Sequence, residues 1–215
     1  MARLIDRRRF MGNSHPFDAE VEYLEVNETT GQAWIDTGYV PYGDDIDYFL
    51  DFQLLGYYPS NANYPSWIRA YNNPPGQVFI VGRWGSRDAI RIFNAELANI
   101  GSQNIPSAND TRYFIETNGK NRICKVNGIQ SSLKAYYPDS NTNTLFIFSD
   151  ITGEATITGY VLGRLYSFKL NKGGIPKLDL IPVRKEKTGY LYDRISGKLL
   201  GNAGMGSFKV GPDVS

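Results

Sequence analysis

The sequence predicts an all-β protein, an antiparallel β-sandwich, on three observations. Tyrosine and glycine are abundant, at 15 and 22 of 215 residues, a bias that suits pleated strands and tight turns. About a dozen short apolar or alternating runs are separated by Gly, Asn, Pro or Asp, at the spacing of an antiparallel sandwich. No stretch longer than about two turns carries the 3.6-residue period of an amphipathic helix, which argues against a doubly wound α/β fold.

Taken in order, residues 1–17 read as a basic, partly apolar arm, with Leu4, Ile5, Phe10 and Met11 among Arg3, Arg7, Arg8 and Arg9. Such a segment is either a leader without a fold of its own or an arm that orders on a partner. Arg7-Arg8-Arg9-Phe10-Met11 looks like a twin-arginine export motif, but Gly12 to Asp18 supply neither an apolar stretch nor a small-residue cleavage site, so the export reading fails. No run approaches the length of a membrane-spanning helix. The expectation is a chain made and folded in a cytoplasm.

Residues 18–215 read as one domain. Val21, Tyr23, Leu24 and Val26 form a strand, residues 27–31 a turn, and residues 33–37 its expected hairpin mate. Ile46, Tyr48, Leu50 and Phe52 recur at period two with Asp47, Phe49, Asp51 and Gln53 between them, the mark of a half-buried strand. Residues 56–65 form the richest loop. Short strands follow at 67–71, 78–81, 89–93, 113–117, 122–126 and 144–148, and residues 156–170 make one long strand or two joined near Gly163.

The stretch from Gly163 to Phe208 is the most patterned. Leu165, Tyr166, Phe168 and Leu170 form a strand, and Asn171-Lys172-Gly173-Gly174 a turn that tolerates positive φ. Residues 178–183 form a second strand, in which Pro182 marks an edge or an exit. Tyr190-Leu191-Tyr192 and Lys198-Leu199-Leu200 flank Asp193 to Gly197, where an Asp opens the turn and a Gly can take the left-handed position of a bulged hairpin.

The net charge of +1 gives no electrostatic case for nucleic acid. Its distribution is uneven. From Phe10 to Ile68 there is no Lys or Arg, while ten carboxylates from Asp18 to Asp51 accumulate. Those carboxylates meet basic residues within the fold or on a neighbouring subunit. The single Cys124, in an alternating strand, reads as a small buried thiol and excludes a disulfide framework. The single His15 lies in the arm, which leaves Ser-His-Asp catalysis and multi-Cys/His zinc sites without their residues.

Three pieces carry a resemblance to a known group. Glu22-Tyr23-Leu24-Glu25, followed by Ala33-Trp34-Ile35-Asp36-Thr37-Gly38-Tyr39-Val40-Pro41, resembles the opening of concanavalin A-like, laminin-G-like jelly-roll domains. Gly163-Arg164-Leu165-Tyr166-Ser167-Phe168-Lys169-Leu170 is similar to their late core strand. Ile181-Pro182-Val183-Arg184, Gly189 to Lys198 and Asn202-Ala203-Gly204 are similar to their closing segment. The group occurs in phage, prophage and gut-bacterial surface proteins, where Arg-rich leaders like this one are also found. The resemblance brackets nearly the whole domain, but residues 55–155 carry none of its motifs.

That resemblance implies a concanavalin A-like jelly roll, a fold that also hosts glycoside hydrolases. Neither Glu20-Val21-Glu22 nor Asp45-Ile46-Asp47 completes the Glu-x-Asp-x-x-Glu pattern of a resembling glucanase, and fold alone does not confer activity. Calcium at a loop rim would draw on Asp44, Asp45, Asp47 and Asp150, although no EF-hand spacing exists. The expected site is a glycan-binding loop, with Tyr57, Tyr58, Tyr64 and Trp67 as flat rings beside the amides of Asn61 and Asn63. Trp84 and the Tyr136-Tyr137 pair are lesser candidates. The same rings equally suit core packing or a subunit interface.

The combined expectation is a non-enzymatic structural or adhesion component, without a required cofactor, presenting a lectin-like domain to cell-surface glycans. The resemblance supplies a phage virion as its place, assembled in the host cytoplasm as a homo-oligomer. Arg7, Arg8, Arg9 and Phe10 would dock on other virion proteins, and neither nucleic acid nor membrane is an expected partner. The alternative is a carbohydrate-binding module on a bacterial cell surface, with a glycoside hydrolase further behind.

Overall fold

The structure is a computed structural model. It describes residues 15–27, 33–43, 45–58, 66–72, 76–83, 89–93, 105–106, 110–132, 143–148 and 160–214. Every regular element among them is a strand: β1 (Ala19–Glu20), β2 (Leu24–Val26), β3 (Ile35–Asp36), β4 (Ile46–Tyr58), β5 (Ser66–Asn72), β6 (Gly76–Arg83), β7 (Ala89–Phe93), β8 (Ile105–Pro106) and β9 (Thr111–Asn118). They continue with β10 (Ile123–Val126), β11 (Ile129–Ser132), β12 (Phe146–Ile147), β13 (Tyr160–Lys172), β14 (Ile175–Lys185), β15 (Thr188–Asp193), β16 (Lys198–Leu200) and β17 (Phe208–Val210).

The strands form two antiparallel sheets packed as a sandwich. The larger runs β11-β10-β9-β4-β13-β14-β15-β16, with β1 joined to β14 and β2 joined to both β13 and β17; the smaller runs β3-β12-β5-β6-β7-β8. At the centre lies β4, whose alternation is read directly from the sequence. Ile46, Tyr48, Leu50, Phe52 and Leu54 are buried in the core, so Asp47, Phe49, Asp51 and Gln53 fall on the outer face. The core draws on both sheets, with Ile35, Trp67 and Ile68 of the smaller sheet packed in one cluster with Leu24, Phe52, Leu165 and Phe168 of the larger.

The closing segment folds as its turn chemistry predicts. Asp193, buried at the start of the β15–β16 turn, accepts hydrogen bonds from the backbone N–H of Ile195 and Ser196 and from the Ser196 hydroxyl, and also from the N–H of Asp179 on the neighbouring strand. Gly197 takes φ 72°, the left-handed position. The ladder between β13 and β14 ends at Phe168↔Leu180, and Pro182, which has no N–H to offer, lies just beyond it. There β1 takes over, with Glu20 opposite Val183. Residues 160–172 form one strand through Gly163, with register shifts on each side of it.

One pairing differs from the sequence expectation. The segment at 33–37 is not the hairpin mate of 21–26. Leu24–Val26 is flanked by β13 and β17, while Ile35–Asp36 pairs with β12 in the other sheet. Both edges of β2 are taken by strands remote in sequence, so the chain crosses from one sheet to the other after Asn27. The packed domain also reaches into the stretch read as the arm: the rings of His15 and Phe17 stack at 5.1 Å, and Phe17 lies 5.0 Å from Tyr192.

The acidic stretch finds cations within its own chain. Asp51 holds Arg112 at 2.7 Å, Glu25 holds Arg164 at 2.6 Å and Lys209 at 3.1 Å, and Asp45 holds Lys172 at 3.0 Å. These are the cross-strand contacts that the segregated charge pattern demands.

Candidate functional site: a groove over Phe49

The rings expected to bind glycan do not assemble into a described site. Tyr57 and Tyr58 end β4, and their side chains lie outside the described structure. Asn61, Asn63, Tyr64, Trp84, Tyr136 and Tyr137 lie outside the described residues, as do Arg7, Arg8, Arg9 and Phe10 of the arm. Trp67 is placed differently from expectation. It has no solvent exposure, stacks on Phe52 with ring centroids 4.5 Å apart and planes 17° apart, and lies 5.7 Å from Tyr113.

The cause is a β-bulge. Ser66 pairs with Gly82 but Ile68 pairs with Val81, which leaves Trp67 as the extra residue. A bulge re-aims the side chain it carries, and here both Trp67 and its neighbour Ile68 enter the core. The indole is part of the sandwich filling and cannot stack on a sugar.

The acidic residues weighed for calcium also have other work. Asp45 accepts a hydrogen bond from the Lys172 ammonium, which also binds the Tyr42 carbonyl at 2.6 Å and lies 3.7 Å from the centre of the Tyr42 ring. Asp45 is thus taken up by a lysine cation of its own chain. Asp47 accepts the backbone N–H of Gly119. Asp44 and Asp150 lie outside the described residues. Among the described residues, no group of three or more His, Cys, Asp or Glu gathers in a way that could hold a metal ion.

The outer face of the larger sheet carries a groove of about 440 Å³ over Phe49, lined from β4, β9, β10, β11 and β13. Its size lies within the range of small-molecule sites, roughly 300–1,000 Å³. The register builds it in rows. Gln130 stands opposite Lys125, Lys125 opposite Glu116, Glu116 opposite Phe49, and Phe49 opposite Lys169. The next row toward the β9–β10 turn brings Ile123 opposite Asn118 and Asp47 opposite Asn171. That turn is secured locally by Asn118, whose side-chain oxygen accepts the N–H of Asn121, and is tied to β4 by Asp47. At the other end of β10, Asn127 and Gly128 both take positive φ, as a two-residue type I′ hairpin requires.

Four polar side chains of this groove are unspent. Among the described residues, Glu116, Lys125, Gln130 and Asn171 line it with no side-chain hydrogen bond or ion pair. Lys169 approaches Asp179 only to 3.9 Å, and both oxygens of that carboxylate already receive Arg194 at 2.9 Å. Phe49 is half-buried on the floor. Carboxylate, ammonium and amide groups therefore line one groove with an aromatic ring, with their hydrogen-bonding capacity available to a ligand.

Farther along the same face the situation is reversed. Arg112 makes a two-pronged contact with Asp51 at 2.7 and 2.8 Å, and its guanidinium lies 3.5 Å from the centre of the Tyr166 ring and 5.3 Å from that of Phe114. The hydrogen bonds that Arg112 donates to Asp51 hold the Arg112 pKa above its ordinary value. Arg164 binds Glu25 and also Gln53, which in turn accepts the Tyr166 hydroxyl at 2.8 Å. This end is a closed network with its charges already matched.

Directly behind the groove, burial pushes the Cys124 thiol up to about 12, which leaves it protonated and unreactive at neutral pH. A scan against protein-family models and a search of curated proteins both found no match to this chain. Phe49 and Asp47 were legible as outer-face residues of an alternating strand. Nothing in the sequence signalled that Glu116, Lys125, Lys169 and Asn171 would join them, because they come from three other strands, β9, β10 and β13, all remote from β4 in sequence.

Proposed function

We propose that this chain is a non-catalytic, lectin-like module of the concanavalin A-like jelly-roll type, which binds glycan in the groove over Phe49. The observation that carries the reading is one groove in which the unpaired Glu116, Lys125, Gln130 and Asn171 side chains join a half-buried aromatic floor. A pyranose has an apolar C–H face for an aromatic ring and hydroxyls around its edge for amides and charged groups. The unmatched hydrogen-bonding groups mark the place where such a ligand replaces water.

The module serves as an adhesion or structural part of a larger assembly, and the sequence resemblance points to a phage virion. In that setting the basic arm docks on neighbouring virion proteins, and repetition of the module in a homo-oligomer raises avidity for a glycan-coated surface. A bacterial surface module would use the same groove.

Glycan-array binding of the full chain beside Phe49→Ala tests the reading. Loss of all glycan signal in a variant that keeps its thermal transition is the expected result. Glycan binding that survives Phe49→Ala unchanged would remove the groove from the site, and a blank array for the parent chain would remove the glycan.

A further inference from the structure

Phe49 has a second exposed ring near it on the same face. Phe49 stands opposite Glu116, and Phe114 opposite Asp51, across one antiparallel ladder. The two phenylalanines are thus diagonal neighbours, with backbone positions about 7–8 Å apart. Phe114 is 42% exposed, although its strand mates Tyr113 and Ile115 are buried core residues. The backbone beneath it is doubly held: the N–H of Phe114 donates to the Asn127 side chain at 2.8 Å, and the N–H of Asn127 returns to the Phe114 carbonyl at 2.9 Å. Beside the ring lies the Arg112 guanidinium, itself clamped between Asp51 and Tyr166.

Glu116 neighbours both rings. It faces Phe49 directly across the ladder and lies two residues beyond Phe114 on the same face of its own strand. Its carboxylate is exposed and unpaired among the described residues, so it can accept hydroxyl hydrogens from a ligand lying over either ring.

Resting on the glycan reading above, we infer that the ligand is a linear oligosaccharide that runs diagonally across β4 and β9, with separate sugar units over Phe49 and Phe114. A single terminal sugar would cover Phe49 alone and leave the second platform idle. Glu116 bridges the two units, and the Arg112–Asp51–Tyr166 network closes the path beyond Phe114, since its polar groups are already matched. The recognised feature is a stretch of chain, and a terminal residue has no privileged place in it.

Calorimetric titration of the full chain with gluco-, xylo- and N-acetylglucosamine oligosaccharides, from monosaccharide to hexasaccharide, tests this. Affinity is expected to rise at least tenfold between the monosaccharide and the tetrasaccharide of the series that binds. Phe114→Ala should flatten that rise while leaving the monosaccharide affinity as it was; Phe114→Tyr should retain it. Thermal transitions of both variants show that the fold persists. Affinity independent of chain length, or a length dependence untouched by Phe114→Ala, overturns the inference and leaves the glycan reading standing. Absence of binding across all three series and a glycan array overturns both.

Discussion

Gly163 packs directly against the ring of Phe52: a β-carbon there would fall 2.7 Å from Phe52 Cε1 and 2.7 Å from the carbonyl oxygen of Gln53. These atoms belong to the central strand and to the core, so neither can move away cheaply. Gly163→Ala is expected to destabilise the domain by about 1–3 kcal/mol through overpacking. The midpoint of chemical denaturation measures it, and an unchanged midpoint would show that β4 and β13 are not held this close.

Trp67 stacks on the same Phe52 ring. Trp67→Ala should cost about 3–5 kcal/mol, the range for deleting a large buried aromatic. Trp67→Phe should cost much less, because it keeps a ring on Phe52 and removes an indole N–H that has no hydrogen-bond partner. If Trp67→Ala instead melted like the parent chain, the indole would belong on the surface.

Asp193 organises the closing turn through three backbone N–H donors and one hydroxyl. Asp193→Ala leaves those donors without their acceptor at a site only 3% exposed, a loss of about 1–3 kcal/mol. Hydrogen exchange should quicken first at Ile195 and Ser196. Uniform protection in the variant would mean that the turn is held by its backbone alone.

Alkaline pH should weaken the fold. Burial raises the Cys124 thiol from 9.0 to about 12, and burial, then the Tyr42 and Asp45 charges, raise Tyr39 from 10.0 to about 12. Above the lower values the unfolded chain loses these protons while the folded chain keeps them. The folded state then binds more protons, so stability falls as the pH rises through the interval from 9.0 to about 12. Urea midpoints taken at neutral pH and at about pH 10 should show the decline, and Cys124→Ala should make it shallower. A flat profile would place the thiol in contact with water.

Much of the fold was legible because its signals are local. The alternation from Ile46 to Gln53 assigns each residue of β4 to a face, since side chains in a strand point to opposite sides in turn. Asp193 and Gly197 specify their turn by their own side-chain and backbone chemistry. Asn127-Gly128 carries an equally local hairpin signal between Val126 and Ile129, where β10 turns back into β11. The hairpin expected between residues 21–26 and 33–37 failed for the opposite reason: a turn between two strand-like runs does not decide whether they share a sheet.

The amino-acid sequence by itself determined that this protein is all-β, that β4 is half-buried, that Cys124 is a core thiol, and where the chain closes with its last hairpin. Period-two patterning and turn residues act over a few positions, which is why they can be read one segment at a time. Only the tertiary structure decided that Trp67 belongs to the core and that the groove lies over Phe49. A one-residue bulge reverses the face of a side chain without altering the composition around it. The groove, for its part, exists only through the register that sets Lys125, Glu116, Phe49 and Lys169 in one row, and register between remote strands is settled by the burial of all their other faces together.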